Sequence, residues 1–382
     1  MAFVHNAFIE YRTPLFEKLS SRYNVKFFFE WFDSSKSKSK PSFLFQFLRS
    51  FKITKNYSFS PFLFFYLLYG RYNLFIAGAI GDPNTYIAFL VSRLLRKPFI
   101  FWDENWYLPR TKPRLLAWAL MQYTINNSEA ILVPGSKSRD FYLSINPDFR
   151  NKIFIAPNVS LLPQSHEIAF KADELKKALK LNGKKVILYC GRLIRQKGFD
   201  YLAKAFTKLQ KYDSITFLLV VGGQYGCGEY YSTEELAIFQ KSFGEDKINF
   251  SGWVESTEKA AYFSLADVVV VPSIFFAGGP EVWGFAVNEA MAAGKPVVAT
   301  KAVGSAYDLI QNGKNGYIVP DKDPEALYKA ISLILENSYR RRTMGNLSLK
   351  IIHEGFKYEN MLMGFEQAIK SVLNSHFKKL DS

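Results

Sequence analysis

Two carboxylates stand eight positions apart in the C-terminal half: Glu281 and Glu289, within Gly278-Gly279-Pro280-Glu281-Val282-Trp283-Gly284-Phe285-Ala286-Val287-Asn288-Glu289-Ala290-Met291. The Gly/Pro loop passes into a helical pattern at Gly284, with Phe285, Ala290 and Met291 as apolar positions. Glu281 then lies just before a helix N-terminus. Glu289 lies roughly one turn inside it, at a rise of about 1.5 Å per residue. Such a terminus offers unpaired N–H groups and a positive dipole end to phosphate or sugar oxygens. Ionised carboxylates only accept hydrogen bonds, so two of them flanking the terminus suit a ligand rich in hydroxyls. A surface helix with two solvated acids is the plainer alternative.

A second stretch bears on the choice: Val186-Ile187-Leu188-Tyr189-Cys190-Gly191-Arg192-Leu193-Ile194-Arg195-Gln196-Lys197-Gly198, followed by a helical pattern through Leu202 and Phe206. The apolar run reads as a buried parallel strand ending at Gly191-Arg192. Ligands of α/β folds bind beyond the carboxyl ends of such strands. Arg192 brings a fork of donors and Lys197 a point charge, a pair suited to a diphosphate.

In this order and roughly ninety residues apart, the two motifs resemble the retaining glycosyltransferases of family 4, which have the GT-B fold. Glu281 to Glu289 is similar to that family's pair of glutamates separated by seven residues, and Gly191-Arg192 with Lys197-Gly198 to its diphosphate loop. Val297–Thr300, Val303-Gly304-Ser305, Asp308-Leu309-Ile310, Asn315-Gly316 and Pro320 continue the pattern. The likeness is strong over 184–335. It is looser in the N-terminal half, through Tyr11–Phe16 and Pro157-Asn158-Val159.

The resemblance implies an α/β protein of two Rossmann-like, doubly wound domains facing a central cleft. The expected organisation is an acceptor-side domain over 1–163, a linker over 164–183 and a nucleotide-sugar domain over 184–355. A C-terminal helix, 356–382, is expected to pack back toward the first domain. A nucleotide-diphospho-sugar is the implied donor and a glycan or lipid-linked molecule the acceptor. Arg192 and Lys197 would neutralise the departing diphosphate. Glu289 would bind the ribose hydroxyls, and Glu281 the donor sugar near the reacting carbon. Gly191, Gly222, Gly223, Trp253, Val254 and the backbone of Gly284-Phe285-Ala286 would line the donor site. Trp253 reads equally well as a packing residue. Same-face attack, with the leaving phosphate taking the acceptor proton, is the usual description of the family. The double displacement of glycosidases does not apply to this glutamate pair.

The N-terminal site departs from the family. Many members carry a histidine after the fourth strand, where this chain has Trp102-Asp103-Glu104-Asn105-Trp106, and a Gly-rich loop after the first, where it has His5-Asn6-Ala7-Phe8. Asp103 and Glu104 fall at a strand end where an acceptor hydroxyl would meet them, and Glu104 is a candidate catalytic group. His5 and Asn6 are acceptor-side candidates. Two other functions fit the fold: a sugar-nucleotide epimerase, and a non-catalytic nucleotide-sugar-binding subunit, which the missing histidine favours.

Composition narrows the field. The chain of 382 residues suits two domains, and 48% apolar residues argue against disorder. Two cysteines, Cys190 and Cys227, make no disulfide framework. Four scattered histidines give no metal spacing, so neither a metal nor another cofactor is expected. Asp321-Lys322-Asp323 reads as a helix start, with Asp323 as N-cap before Pro324, rather than as a metal pair. No NAD fingerprint, secretory signal or membrane-spanning stretch is read. The expected location is cytoplasmic, or peripheral on the inner face of the plasma membrane.

Residues 1–160 hold 21 Lys/Arg against 10 Asp/Glu, a balance of +11, and 161–382 hold 28 against 24, a balance of +4. An anionic partner is therefore expected for the first half. Nucleic acid is set aside because no recognition module accompanies the charge. Leu44, Phe47, Leu48 and Phe51 recur at helical spacing among Lys40, Arg49, Lys52 and Lys55. They suit an interfacial helix on anionic lipid, a helix packed on the domain, or strands. Further strands are read at Phe3-Val4, Val25–Phe29, Leu74–Gly78, Phe99–Trp102, Ala130–Val133 and Ile153–Ala156. The second half offers Val186–Tyr189, Thr216–Val221, Ile248–Phe250, Val268–Val271, Pro296–Ala299 and Gly316–Ile318, with helices between them.

Overall fold

Runs such as Phe-Ile-Phe-Trp and Val-Val-Val-Val have no polar face, so they form strands covered on both sides, as in parallel sheets. The computed structural model describes residues 1–32, 42–52, 58–109, 111–160, 162, 165–224, 228–244, 246–277 and 279–381. Most of the Ser/Lys run of 34–42, Lys40, Lys55, Cys227 and Gly278 lie outside them. The chain divides into two units, Met1–Val159 with Tyr358–Ser382, and Ser160–Lys357.

The first unit holds β1 (Ala2–Phe8), β2 (Lys26–Phe32), β3 (Phe45–Phe47), β4 (Phe51–Lys52), β5 (Ser58–Phe59), β6 (Phe75–Gly78), β7 (Phe99–Trp102), β8 (Ala130–Val133) and β9 (Ile153–Ile155). Seven of these form a parallel sheet in the order β3-β2-β1-β6-β7-β8-β9, and β4 and β5 pair apart as a short antiparallel ribbon. Phe3, Phe16, Phe27 and Trp102 meet in the core on one face. The last helix, Tyr358–Asp381, closes that core with Met361, Leu362, Phe365, Ala368, Ile369 and Val372. A Cβ at Gly364 would lie 2.2 Å from the Ile155 carbonyl, so the helix can approach β9 only with glycine there.

The second unit adds β10 (Lys185–Cys190), β11 (Thr216–Val221), β12 (Ile248–Gly252), β13 (Val268–Val271), β14 (Val297–Thr300) and β15 (Gly316–Val319). Their order is β12-β11-β10-β13-β14-β15, all parallel. Counted within the unit this is 3-2-1-4-5-6, the doubly wound Rossmann order. The first unit repeats it with one strand more. Each sheet thus has a switch point, between β1 and β6 and between β10 and β13, where crossovers leave to opposite faces and a crevice opens at the strand ends. Asp323 caps the helix Pro324–Leu335 by accepting from the Ala326 N–H at 3.0 Å.

Of the readings open for Leu44, Phe47, Leu48 and Phe51, strands hold: Phe45–Phe47 is an edge strand beside β2, Phe51 belongs to β4, and Leu48 is buried. Phe47 meets Phe29 across on β2 and Phe45 two positions along its own strand, the same-face spacing of a strand and not of a helix. The linker expectation is corrected. The segment read as a linker, 164–183, contains the helix His166–Ala178. Ser165 caps that helix, and it packs within the second unit against the helix Ser256–Leu265.

Candidate functional site

At the end of β10 the chain turns at Gly191, whose N–H donates to the Val221 carbonyl at 2.9 Å. Gly222 follows β11 with φ +133°, and a Cβ there would stand 1.9 Å from the Gly191 oxygen. Only glycine allows the two strand ends to lie this close. The loop from Leu193 to Lys197 is stitched to its neighbour: Leu193 N–H to Gly223 O at 3.1 Å, Arg195 N–H to Glu229 O at 2.7 Å. Arg195 lies over the Tyr231 ring at 4.4 Å and pairs with Glu235 at 2.5 Å. Arg195 therefore braces this loop. The Tyr189 hydroxyl donates to the Arg192 carbonyl at 2.7 Å and fixes the backbone that carries its guanidinium.

Glu281 is set by a second strand-like contact. Its N–H donates to Ala302 O at 2.9 Å, and its carbonyl accepts from the Gly304 N–H at 3.1 Å. Gln196 donates to the carbonyls of Gly279 and Pro280, tying the two loops together. The Lys197 ammonium bonds the Glu281 carboxylate, and both side chains are 17% exposed. Gly284, at φ +90°, starts the helix Phe285–Ala292. Trp283 is pinned under it by an Nε1–H bond to Asn288 at 2.8 Å.

Glu289 lies inside that helix and is buried. Its Oε1 accepts from Ser160 Oγ at 3.0 Å and from the Lys259 ammonium. Cys190 is close by. Burial first, then the charge of Glu289, pushes its thiol up to about 12. Trp253 is 44% exposed after β12, so it is not a buried packing residue. Val254 and Gly223 adjoin the same strand ends. The second unit therefore gathers Arg192, Lys197, Glu281, Glu289, Gly222, Gly223 and the N-terminus of helix Phe285–Ala292 around one switch point. It adds Lys259, which sequence reasoning missed: one lysine in an ordinary helical pattern carries no signal until its partner is known. Ammonium groups, a helix N-terminus and two carboxylates suit a ligand that is anionic at one end and hydroxylated at the other.

In the first unit, Asp103 is fully buried and binds the Tyr142 hydroxyl at 2.6 Å, the Ile80 N–H at 3.0 Å and the Asn105 side chain at 2.9 Å. Its carboxylate is thus spent on holding the loops after β6 and β7. Burial raises its pKa, and those bonds oppose the rise. Glu104 is partly exposed and pairs with Arg12, which also donates to His5 Nε2. Burial first, then Arg12, holds His5 well below the usual imidazole range, so the ring is neutral. Asn6 is exposed. Arg12 is the second residue that sequence reasoning passed over. Among the described residues no cluster of three or more His, Cys, Asp or Glu gathers to hold a metal ion. Asp321 accepts from the Phe275 N–H at 3.0 Å, and Asp323 is the cap already noted.

Two such units with these strand orders are those of the GT-B glycosyltransferases. Residues 171–350 match the family described as glycosyl transferases group 1. It is 32% identical over 177 residues to an uncharacterized glycosyltransferase of Methanocaldococcus jannaschii, covering 46% of this chain and 42% of that protein. It is 29% identical over 174 residues to a GDP-mannose-dependent alpha-(1-6)-phosphatidylinositol monomannoside mannosyltransferase of Mycobacterium tuberculosis, covering 45% and 44%. The match thus spans less than half the length of either relative. Among solved structures, Anabaena HepE in complex with UDP superposes with a TM-score of 0.74 at 16% identity, covering 97% of this chain and all of that one.

Proposed function

We propose that the chain is a retaining glycosyltransferase (EC 2.4) that moves a sugar from a nucleotide-diphospho-sugar to a glycan or lipid-linked acceptor. The observation that carries this reading is the set of Arg192, Lys197, Glu281 and Glu289 around the N-terminus of one helix at the second unit's switch point. Arg192 and Lys197 take the charge that grows on the departing diphosphate, a stabilisation present mainly in the transition state. Glu289 accepts from the ribose hydroxyls, and Glu281 holds the donor sugar. The acceptor oxygen bonds to the anomeric carbon as the bond to the phosphate oxygen breaks. The electron pair leaves with that oxygen, which takes the acceptor's proton. The cationic groups fill the role that a metal ion has elsewhere, so activity should withstand EDTA.

A peripheral position on an anionic membrane is part of the proposal. The helix Pro61–Tyr69 has no charged residue and exposes Phe62, Phe65, Tyr66 and Tyr69, beside exposed Phe51 and Phe59. The surrounding unit carries most of the positive balance. Aromatic rings and cations together fit the interface of an anionic bilayer. Among the described residues no helix is long and apolar enough to cross it.

The deciding experiment is a thermal-shift screen against UDP-, GDP- and ADP-sugars, UDP first because a solved structure of this fold holds it. A ligand of the native state raises the melting temperature. No shift with any of them, and no nucleotide released on incubation, would sink the reading. Release of sugar-nucleotide isomer in place of transfer would turn it to an epimerase.

A further inference from the structure

Arg12 breaks a local rule. It stands at the start of the helix Thr13–Arg22, where the dipole disfavours a cation, and its side chain is only 5% exposed. A buried charge persists when neighbours compensate it, and rule-breaking of this kind marks functional sites. The terminal nitrogens and the face of Arg12 are compensated by neighbours. The guanidinium lies over buried Trp102 at 4.4 Å and bonds the Glu104 carboxylate. It also donates to His5 Nε2. Because arginine only donates, Nε2 must accept; the ring hydrogen is then on Nδ1, which donates to the Ala7 carbonyl at 3.0 Å. His5 is thereby fixed in one neutral tautomer and has no free nitrogen to act as a base.

Glu104 is held from both ends. Its carbonyl accepts from Ser138 Oγ at 2.8 Å, and its carboxylate accepts from Arg12. Among the described residues Arg12 is the only side chain that hydrogen-bonds this carboxylate, which is 24% exposed. Spare acceptor capacity therefore faces solvent at the strand ends of β1 and β7, beside the first unit's switch point.

We propose that Arg12 is the positioning residue of an acceptor site, holding Glu104 so that its carboxylate receives a hydroxyl of a neutral saccharide. This rests on the glycosyltransferase reading and names the class of acceptor. A carboxylate that can only accept favours O–H donors and repels phosphate or carboxylate groups at the same place. Bonded to Arg12, it orients the acceptor and leaves proton removal to the departing phosphate.

The test uses the full chain with the nucleotide-sugar found by thermal shift, and octyl β-glucoside and octyl β-glucuronide as acceptor probes. The glucoside should be used and the glucuronide should be poorer by about tenfold or more. In Glu104→Gln and Arg12→Met the acceptor KM should rise about tenfold, as loss of a charge-assisted hydrogen bond predicts, with donor KM little changed. Arg12→Lys should fall between, because a point charge restores the pair without the fork. Nitrogen-15 NMR of His5 at neutral pH should show Nδ1–H in the wild type and a different tautomer balance in Arg12→Met, reporting the geometry whatever the stability of that variant. Equal use of both probes, no use of any neutral glycoside, or an unchanged acceptor KM in Glu104→Gln would overturn the proposal. A wild type that binds no nucleotide-sugar overturns the glycosyltransferase reading with it. Intact donor binding with unchanged acceptor KM overturns this inference alone.

Discussion

Lys197 and Glu281 hold each other, ammonium to carboxylate, although one is assigned to the donor's phosphates and the other to its sugar. On the proposed assignment a diphosphate would compete with Glu281 for Lys197, and its arrival would release the carboxylate to meet the sugar. Lys197→Ala should weaken nucleoside diphosphate binding about 10- to 100-fold, the worth of a charge-assisted bond. Glu281→Gln should bind the bare nucleoside diphosphate a few-fold more tightly than wild type, because the competitor is gone, and yet transfer sugar poorly. Calorimetry with the bare nucleotide checks both; weaker binding in Glu281→Gln would show that the pair does not compete.

Glu289 takes its direction from Lys259 and Ser160. Lys259→Met removes the ammonium partner of a buried carboxylate. Nucleotide affinity should fall about tenfold. Lys259→Arg should recover most of it. Unchanged nucleotide affinity in Lys259→Met, measured by calorimetry, would leave Lys259 as a packing residue.

Asp82 offers a prediction about stability. Burial first, then the neighbouring charge of Glu30, raises its carboxyl well above the usual range, while its Oδ1 caps the helix Pro83–Leu94 through the Asn84 N–H at 2.8 Å. The folded pKa is above the unfolded one, so the contribution is fully present below about pH 4 and is lost as pH rises through the folded value. Asn at this position keeps the capping oxygen and donates to Glu30 without needing a proton. Asp82→Asn should therefore melt a few degrees higher at pH 8 and gain nothing at pH 4. A uniform shift at both would contradict a carboxyl that holds its proton because of burial and Glu30.

Docking on lipid should be read out by sedimentation with vesicles. The wild type should sediment with anionic vesicles at low salt, less at high salt and little with neutral lipid. Phe65→Ser with Tyr69→Ser should reduce sedimentation and leave nucleotide binding intact. A wild type that stays in the supernatant throughout returns this aromatic face to another partner.

The two loops proposed for the donor were legible because each is local in sequence. Gly191 to Gly198 and Glu281 to Glu289 each lie on one strand-to-helix turn, so spacing alone places them. Lys259 and Arg12 could not be read this way. Each acts on a partner 30 and 92 positions away respectively, brought close only by the sheet. Strands in the second unit were read to within about a residue or two because all-apolar runs of four to six have few other uses. The stripe at 44–51 stayed open between helix and strands for the opposite reason. Aromatic residues were dense enough to satisfy a helical period by chance, and the short edge strand left no alternation to oppose it.

The helix Tyr358–Asp381 has a bearing on how the chain is made. Synthesis runs from the N-terminus, so residues 160–357 leave the ribosome before this helix does. The second unit then has its whole sequence available while Phe3, Trp102 and their neighbours still lack the cover of Phe365. The later unit can therefore settle first, while the earlier one waits with an apolar face open. A nascent chain stalled near residue 357 should therefore present to a chaperone the strands made first.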